Sequence, residues 1–94
     1  MTNPSTLQNL RLVIETIDDQ IFTLITERAE IARKLGVIKR DNQMKIQDPE
    51  LQAHKLQKFL EKFSPNIHSS HIHQLYHLLV EIALDAQEKS DQKK

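Results

Sequence analysis

The sequence predicts an all-α protein, with three helices per chain and a long first helix. Three observations predict it. One glycine among 94 residues leaves too few positions at φ > 0 for the hairpins of a small β protein. Apolar residues recur at steps of three and four from Leu7 to Ile38, the period of a helix. Start and stop signals stand at "STLQ", "QDPELQ" and "SPN", and they divide the chain into three helical stretches.

The first helix is expected over about residues 6–41. Ser5 and Gln8 have the spacing of a capping box. The apolar positions Leu7, Leu10, Ile14, Ile17, Ile21 and Leu24 are followed by Arg28, then Ile31, Leu35 and Ile38. Steps alternating between three and four make a heptad seam. Glu30 and Lys34 can support the exposed side at i,i+4. Gly36 costs the helix about 1 kcal/mol, yet the pattern continues past it and fades near residues 41–43. The second helix, about 48–63, opens with Asp48 as N-cap and Pro49 at the first helical position. Leu56, Phe59, Leu60 and Phe63 form its apolar positions, and "SPN" at 64–66 stops it. The third, about 67–89, carries Ile72, Leu75, Leu79 and Ala83 on one stripe, with Tyr76, Ile82 and Ala86 alongside. Residues 90–94 read as a polar tail. No repeat or long linker divides the chain, so residues 1–94 read as one domain.

A helix over 6–41 is about 54 Å long at 1.5 Å per residue. A compact domain of this size has a radius of gyration of only about 12–13 Å. The remaining residues of one chain cannot cover such a helix. Its seam therefore calls for a partner helix, most simply from a second copy of the chain.

Composition excludes several functions. Thirteen basic and thirteen acidic side chains give no global basic field for nucleic acid. No cysteine means no disulfide framework and no thiolate chemistry. The start, "MTNPSTLQNL", lacks the pattern of a signal peptide, and no apolar run nears the roughly 18 residues of a membrane span. A soluble, cytoplasmic protein is the expectation. His68, His71, His73 and His77 cluster near the third helix, but no carboxylate completes a metal motif, and exposed helix histidines are the better account.

Three polar residues stand on apolar stripes. Arg28 occupies the seam itself. Lys39, eleven residues on, points within roughly 20° of the same direction and lies about 16 Å away along the axis. Two long side chains so placed can hold a small anion between them. Gln87, at Ala83+4 and Leu79+8, points along the stripe of the third helix. Each also has a plainer reading: a registry device for Arg28, a favourable helix-dipole contact for Lys39, a terminal-turn residue for Gln87. Arg11 is about 100° from Arg28 around the helix, so it reaches such a pocket only from the other copy in an antiparallel pair.

The stretches "LR" at 10–11, "IDDQIFTLITERAEIARKLGVIK" at 17–39, "DPE" at 48–50 and "EIALDAQ" at 81–87 resemble the all-helical, type II chorismate mutase family. The resemblance spans almost the whole chain. It is specific in the first helix, where Arg11, Arg28 and Lys39 have the family's spacing, and looser in the third. It implies an intertwined homodimer of three-helix chains, acting in phenylalanine and tyrosine biosynthesis on the shikimate pathway. The implied reaction is the Claisen rearrangement of chorismate, a small dianion, to prephenate. No cofactor is implied. By resemblance, Arg28 and the other chain's Arg11 hold carboxylates, Lys39 and Gln87 bond the ether oxygen, and Asp48 assists at the ring hydroxyl through its backbone. Gln52 stands where the family has a glutamate, and its amide can still bond that hydroxyl. Leu51 stands in place of an arginine and Ala83 in place of a serine or threonine. These departures leave two alternatives open: an isochorismate pyruvate lyase forming salicylate, and a weakly active or non-catalytic mutase-like dimer.

Overall fold

The computed structural model describes residues 3–92, with side chains from 3 to 88. The described residues form three helices and no strand: α1 (Pro4–Asp41), α2 (Pro49–Phe63) and α3 (Ser69–Gln92). α1 begins two residues before the expected start. Its N-cap is Asn3, whose side-chain oxygen accepts from the Thr6 N–H at 2.8 Å, and Pro4 follows at the first helical position. Ser5 and Gln8 therefore lie inside the helix. Glu30 takes Arg33, three residues on, at 2.7 Å. That hydrogen bond, with the attraction of the carboxylate, holds the Arg33 guanidinium more firmly protonated.

α1 ends in a tight wrap. The Met44 N–H donates to the Lys39 carbonyl at 2.7 Å and the Gln43 N–H to the Arg40 carbonyl at 3.0 Å. This is the paired bonding of a Schellman motif, with Gln43 in the left-handed conformation at φ 57°. Asp48 caps α2 as expected, its carboxylate accepting from the Leu51 N–H at 3.1 Å. α3 begins at Ser69 rather than near 67. The His68 carbonyl accepts from the His71 and Ile72 N–H groups, and its imidazole Nδ1 accepts from the Ser70 N–H at 3.2 Å. α3 continues to Gln92, so residues 90–92 of the expected tail are helical, and 93–94 lie outside the described residues.

α3 is the element against which both other helices pack. It meets α1 along small side chains: Ala32 and Gly36 are buried, with Ile25 and Ala29 partly so. Arg28 bonds the Leu79 carbonyl while Gly36 meets Gln87, so this half of α1 runs parallel to α3. On α3 the buried positions are Ile72, Tyr76 and Gln87. Leu75 of the expected stripe is half-exposed, turned with Leu79 toward an apolar groove shared with Phe59 and Phe63 of α2. Phe59 and Tyr76 meet as a tilted ring pair with centroids 5.6 Å apart, joining α2 to α3.

The heptad seam lies beside this contact, not in it. Residues 3–24 are exposed almost without interruption, and Leu10, Ile14 and Leu24 are each 55–62% exposed. The chain measures 61 × 31 × 14 Å with a radius of gyration of 17.7 Å. Buried apolar residues number only Ala32, Ile72 and Tyr76 among those described. So small a core falls short of the burial that normally offsets chain entropy. No described helix is long and apolar enough to cross a membrane.

The left-handed turn at Gln43 carries a cost that glycine would not. Gln43→Gly is expected to raise stability by about 0.5–1 kcal/mol in urea unfolding at fixed protein concentration. A loss of stability would show that the Gln43 side chain contributes more than its backbone strain costs.

Candidate functional site

The C-terminal part of α1, the first half of α2 and α3 line a half-open cavity of about 270 Å³. α1 contributes Arg28, Ile31, Leu35 and Lys39, the C-terminal part of the heptad seam and its extension. α2 contributes Asp48, Leu51, Gln52 and Lys55, spaced i, i+3, i+4 and i+7 on one face. α3 contributes Tyr76, Val80, Ala83, Leu84 and Gln87, and Ile46 closes the loop side. Arg28, Lys39, Asp48, Gln52 and Gln87, scattered over sixty residues of sequence, thus surround one space.

Two of the cationic side chains, Arg28 and Lys39, are held by the backbone of another segment. Arg28 Nη1 donates to the Leu79 carbonyl on α3 at 3.1 Å. Its planar fork has five donors, so several remain for a ligand. Lys39 Nζ donates to the Ile46 carbonyl at 3.1 Å. The turn at residues 42–44 sets that distance by folding the loop back over the last turn of α1. Neither cation forms an ion pair among the described residues. The Asp48 carbonyl accepts from the Gln52 N–H at 3.0 Å, and its carboxylate is engaged as the α2 cap. Three cations and one carboxylate line the cavity, leaving a net positive charge in a partly desolvated space.

Gln87 is the most buried polar residue of the site, 6% exposed, and its Oε1 has no hydrogen-bond partner. Buried amide oxygens are nearly always satisfied, so this acceptor is poised for a donor that the described residues do not supply. Gly36 explains how Gln87 gets there. A Cβ on Gly36 would sit 2.8 Å from Gln87 Cγ, 3.0 Å from its Cβ and 3.3 Å from its Cα. The missing side chain lets α3 press flush against α1 and aims the glutamine inward. Arg40 Nη1 reaches the Gln87 carbonyl at 3.5 Å, a long contact at the same junction.

Arg11 is not in this cavity. It is exposed on α1, seventeen residues and about 25 Å of helix before Arg28. Lys55 is in it, although the apolar pattern of α2 did not single it out. Its signal was positional: Lys55 follows Leu51 by one helical turn and Asp48 by two. Leu51 and Ala83 face the cavity with apolar groups. His77 pairs with Glu81 at 3.0 Å on the exposed side of α3, and the described residues hold no group of three or more metal-ligating side chains.

Three helices around a small cationic cavity make an all-helical protein with a site whose charge suits an anion. The family model for chorismate mutase type II matches residues 10–88, and the chain belongs to that family. Comparison with curated proteins and with solved structures returns no match.

Gly36→Ala tests the close approach of α1 and α3. At an unconstrained helix position alanine would stabilise by about 1 kcal/mol. Here overpacking against Gln87 is expected to reverse the sign, for a net loss of about 1–2 kcal/mol in urea unfolding. A more stable variant would mean that Gln87 moves aside freely.

Proposed function

We propose that the chain is a chorismate mutase, rearranging chorismate to prephenate in aromatic amino-acid synthesis in the cytoplasm. The observation that carries this reading is the convergence of Arg28, Lys39 and the buried Gln87 amide, whose NH2 is the donor, on one small cationic cavity. In this reading Arg28 holds a carboxylate of the substrate through its bidentate fork. Lys39 and Gln87 donate to the ether oxygen, and Gln52 with the Asp48 backbone faces the ring hydroxyl.

The reaction asks for nothing more reactive. The ether C–O bond breaks and a new C–C bond forms within one molecule, so atoms and electrons balance without a nucleophile, a general base or a cofactor. The enolpyruvyl arm must be held folded over the ring, which is a positioning effect. As the ether bond lengthens its oxygen gains negative charge. Fixed donors aimed at that atom stabilise the transition state more than the ground state. Lys39, tethered to the Ile46 carbonyl, and Gln87, clamped over Gly36, are such donors.

The working unit in this reading is an intertwined homodimer. The exposed first half of α1 needs an apolar cover. Each chain also offers an apolar groove lined by Phe59, Phe63, Ile67, Leu75 and Leu79. A partner helix laid along the seam brings that chain's Arg11 to the second carboxylate. The apolar Leu51 and Ala83 favour a weak catalyst over a strong one, so isochorismate is offered beside chorismate in the assay.

Purified protein is expected to convert chorismate to prephenate, and Lys39→Ala to lower kcat by about 100-fold or more. Arg11→Ala and Arg28→Ala are each expected to be inactive. Mixed and re-annealed, they should recover about a quarter of the wild-type rate, because half the random dimers are hybrids and each hybrid holds one intact site. Background turnover by the wild type, or salicylate from isochorismate instead, would overturn the reading. No recovery in the mixture would remove Arg11 from the partner's site.

A further inference from the structure

Lys55 is a cation in the cavity that the roles above leave unused. It lies on the same face of α2 as Asp48, Leu51 and Gln52, all four lining the cavity. Among the described residues it makes no hydrogen bond and no ion pair. It sits one turn beyond Leu51, whose apolar side chain leaves the Asp48 carboxylate as the other charge on this wall. The other two cations come from α1, so Lys55 is the one positive charge that α2 presents to the cavity. A doubly negative guest held only from α1 would face an uncompensated wall on the α2 side.

We propose that Lys55 supplies the carboxylate-binding cation of the α2 wall, reaching back over Leu51 to the substrate from one helical turn further along. The proposal rests on the mutase reading of this cavity. The lysine stem is long enough to cover a turn of helix, because its four methylenes lie along apolar surface while the ammonium stays solvated. Leu51 provides that surface. The contact is a point charge without a fixed fork, so it adds attraction more than orientation. It therefore acts on substrate capture and leaves the chemical step to Lys39 and Gln87.

Steady-state kinetics on the full chain test this, with Lys58→Gln as a control on the same helix outside the cavity. Lys55→Gln is expected to raise KM for chorismate about five- to tenfold, with kcat within about twofold, since uniform binding is lost and transition-state contacts stay. The rise of KM with added salt should be shallower in Lys55→Gln than in the wild type, because one screened attraction is gone. Placing Leu51→Arg in the Lys55→Gln background should return KM toward the wild-type value. Wild-type KM and salt dependence in Lys55→Gln would overturn the assignment and leave the mutase reading standing. If the wild type neither turns over chorismate nor is thermally stabilised by a bicyclic dicarboxylate analogue of the transition state, the mutase reading falls and the role of Lys55 with it.

Discussion

The structure depends on a helix too long for its own chain. α1 runs for 38 residues, yet α3 covers only its C-terminal part. The apolar seam from Leu7 to Leu24 stays open to solvent, and the buried apolar core of one chain is a handful of residues. Burial of roughly 25 cal/mol per Å² is the main force for folding, and one chain leaves much of its apolar surface in water. Folding and pairing are one event in the dimer we propose, and the site inherits that coupling. The C-terminal part of the seam lines the cavity, and the N-terminal part carries Arg11 on an exposed face.

Small residues and large ones divide the labour on α1. Ala29, Ala32 and Gly36 let α3 approach closely, and the approach fixes Gln87. The neighbouring stripe of leucine and isoleucine is displaced around the helix and does not take part in that contact. Arg28 stands where the two regions meet. Its guanidinium bonds the α3 backbone at Leu79 and faces the cavity with donors to spare. A hydrocarbon side chain there would fill the seam but leave nothing to grip an anion. The turn after α1 works in the same way on Lys39, folding Ile46 back to hold the ammonium in place. Site geometry thus comes from backbone packing and turn chemistry, with few side-chain to side-chain bonds.

Much of this was legible in the sequence. Three helices follow from period and punctuation, because Asp48–Pro49 and Ser64–Pro65 mark a start and a stop in plain chemical terms. The cavity residues Arg28, Lys39 and Gln87 were legible because a polar group on an apolar stripe has a direction, and the direction can be counted. Other features were hidden for physical reasons. Asn3 caps α1 because Pro4 fits the first helical position, whereas the Ser5 and Gln8 spacing matched a cap equally well on paper. The stripe buried against α3 is made of alanine and glycine, which carry little hydropathy signal, so the louder seam masked it. Leu75 read as core although it faces a groove, since two apolar faces of one helix look alike in a sequence. Lys55 lay beyond an apolar pattern that had no reason to include a lysine.

Sedimentation equilibrium over a range of protein concentrations, with circular dichroism on the same samples, decides whether the long helix needs a second chain. The account predicts a helical species of twice the 11.0 kDa chain mass, losing helix content as it dissociates on dilution. A fully helical, stable species at the mass of one chain would contradict it, because α1 would then hold its exposed seam in water unaided.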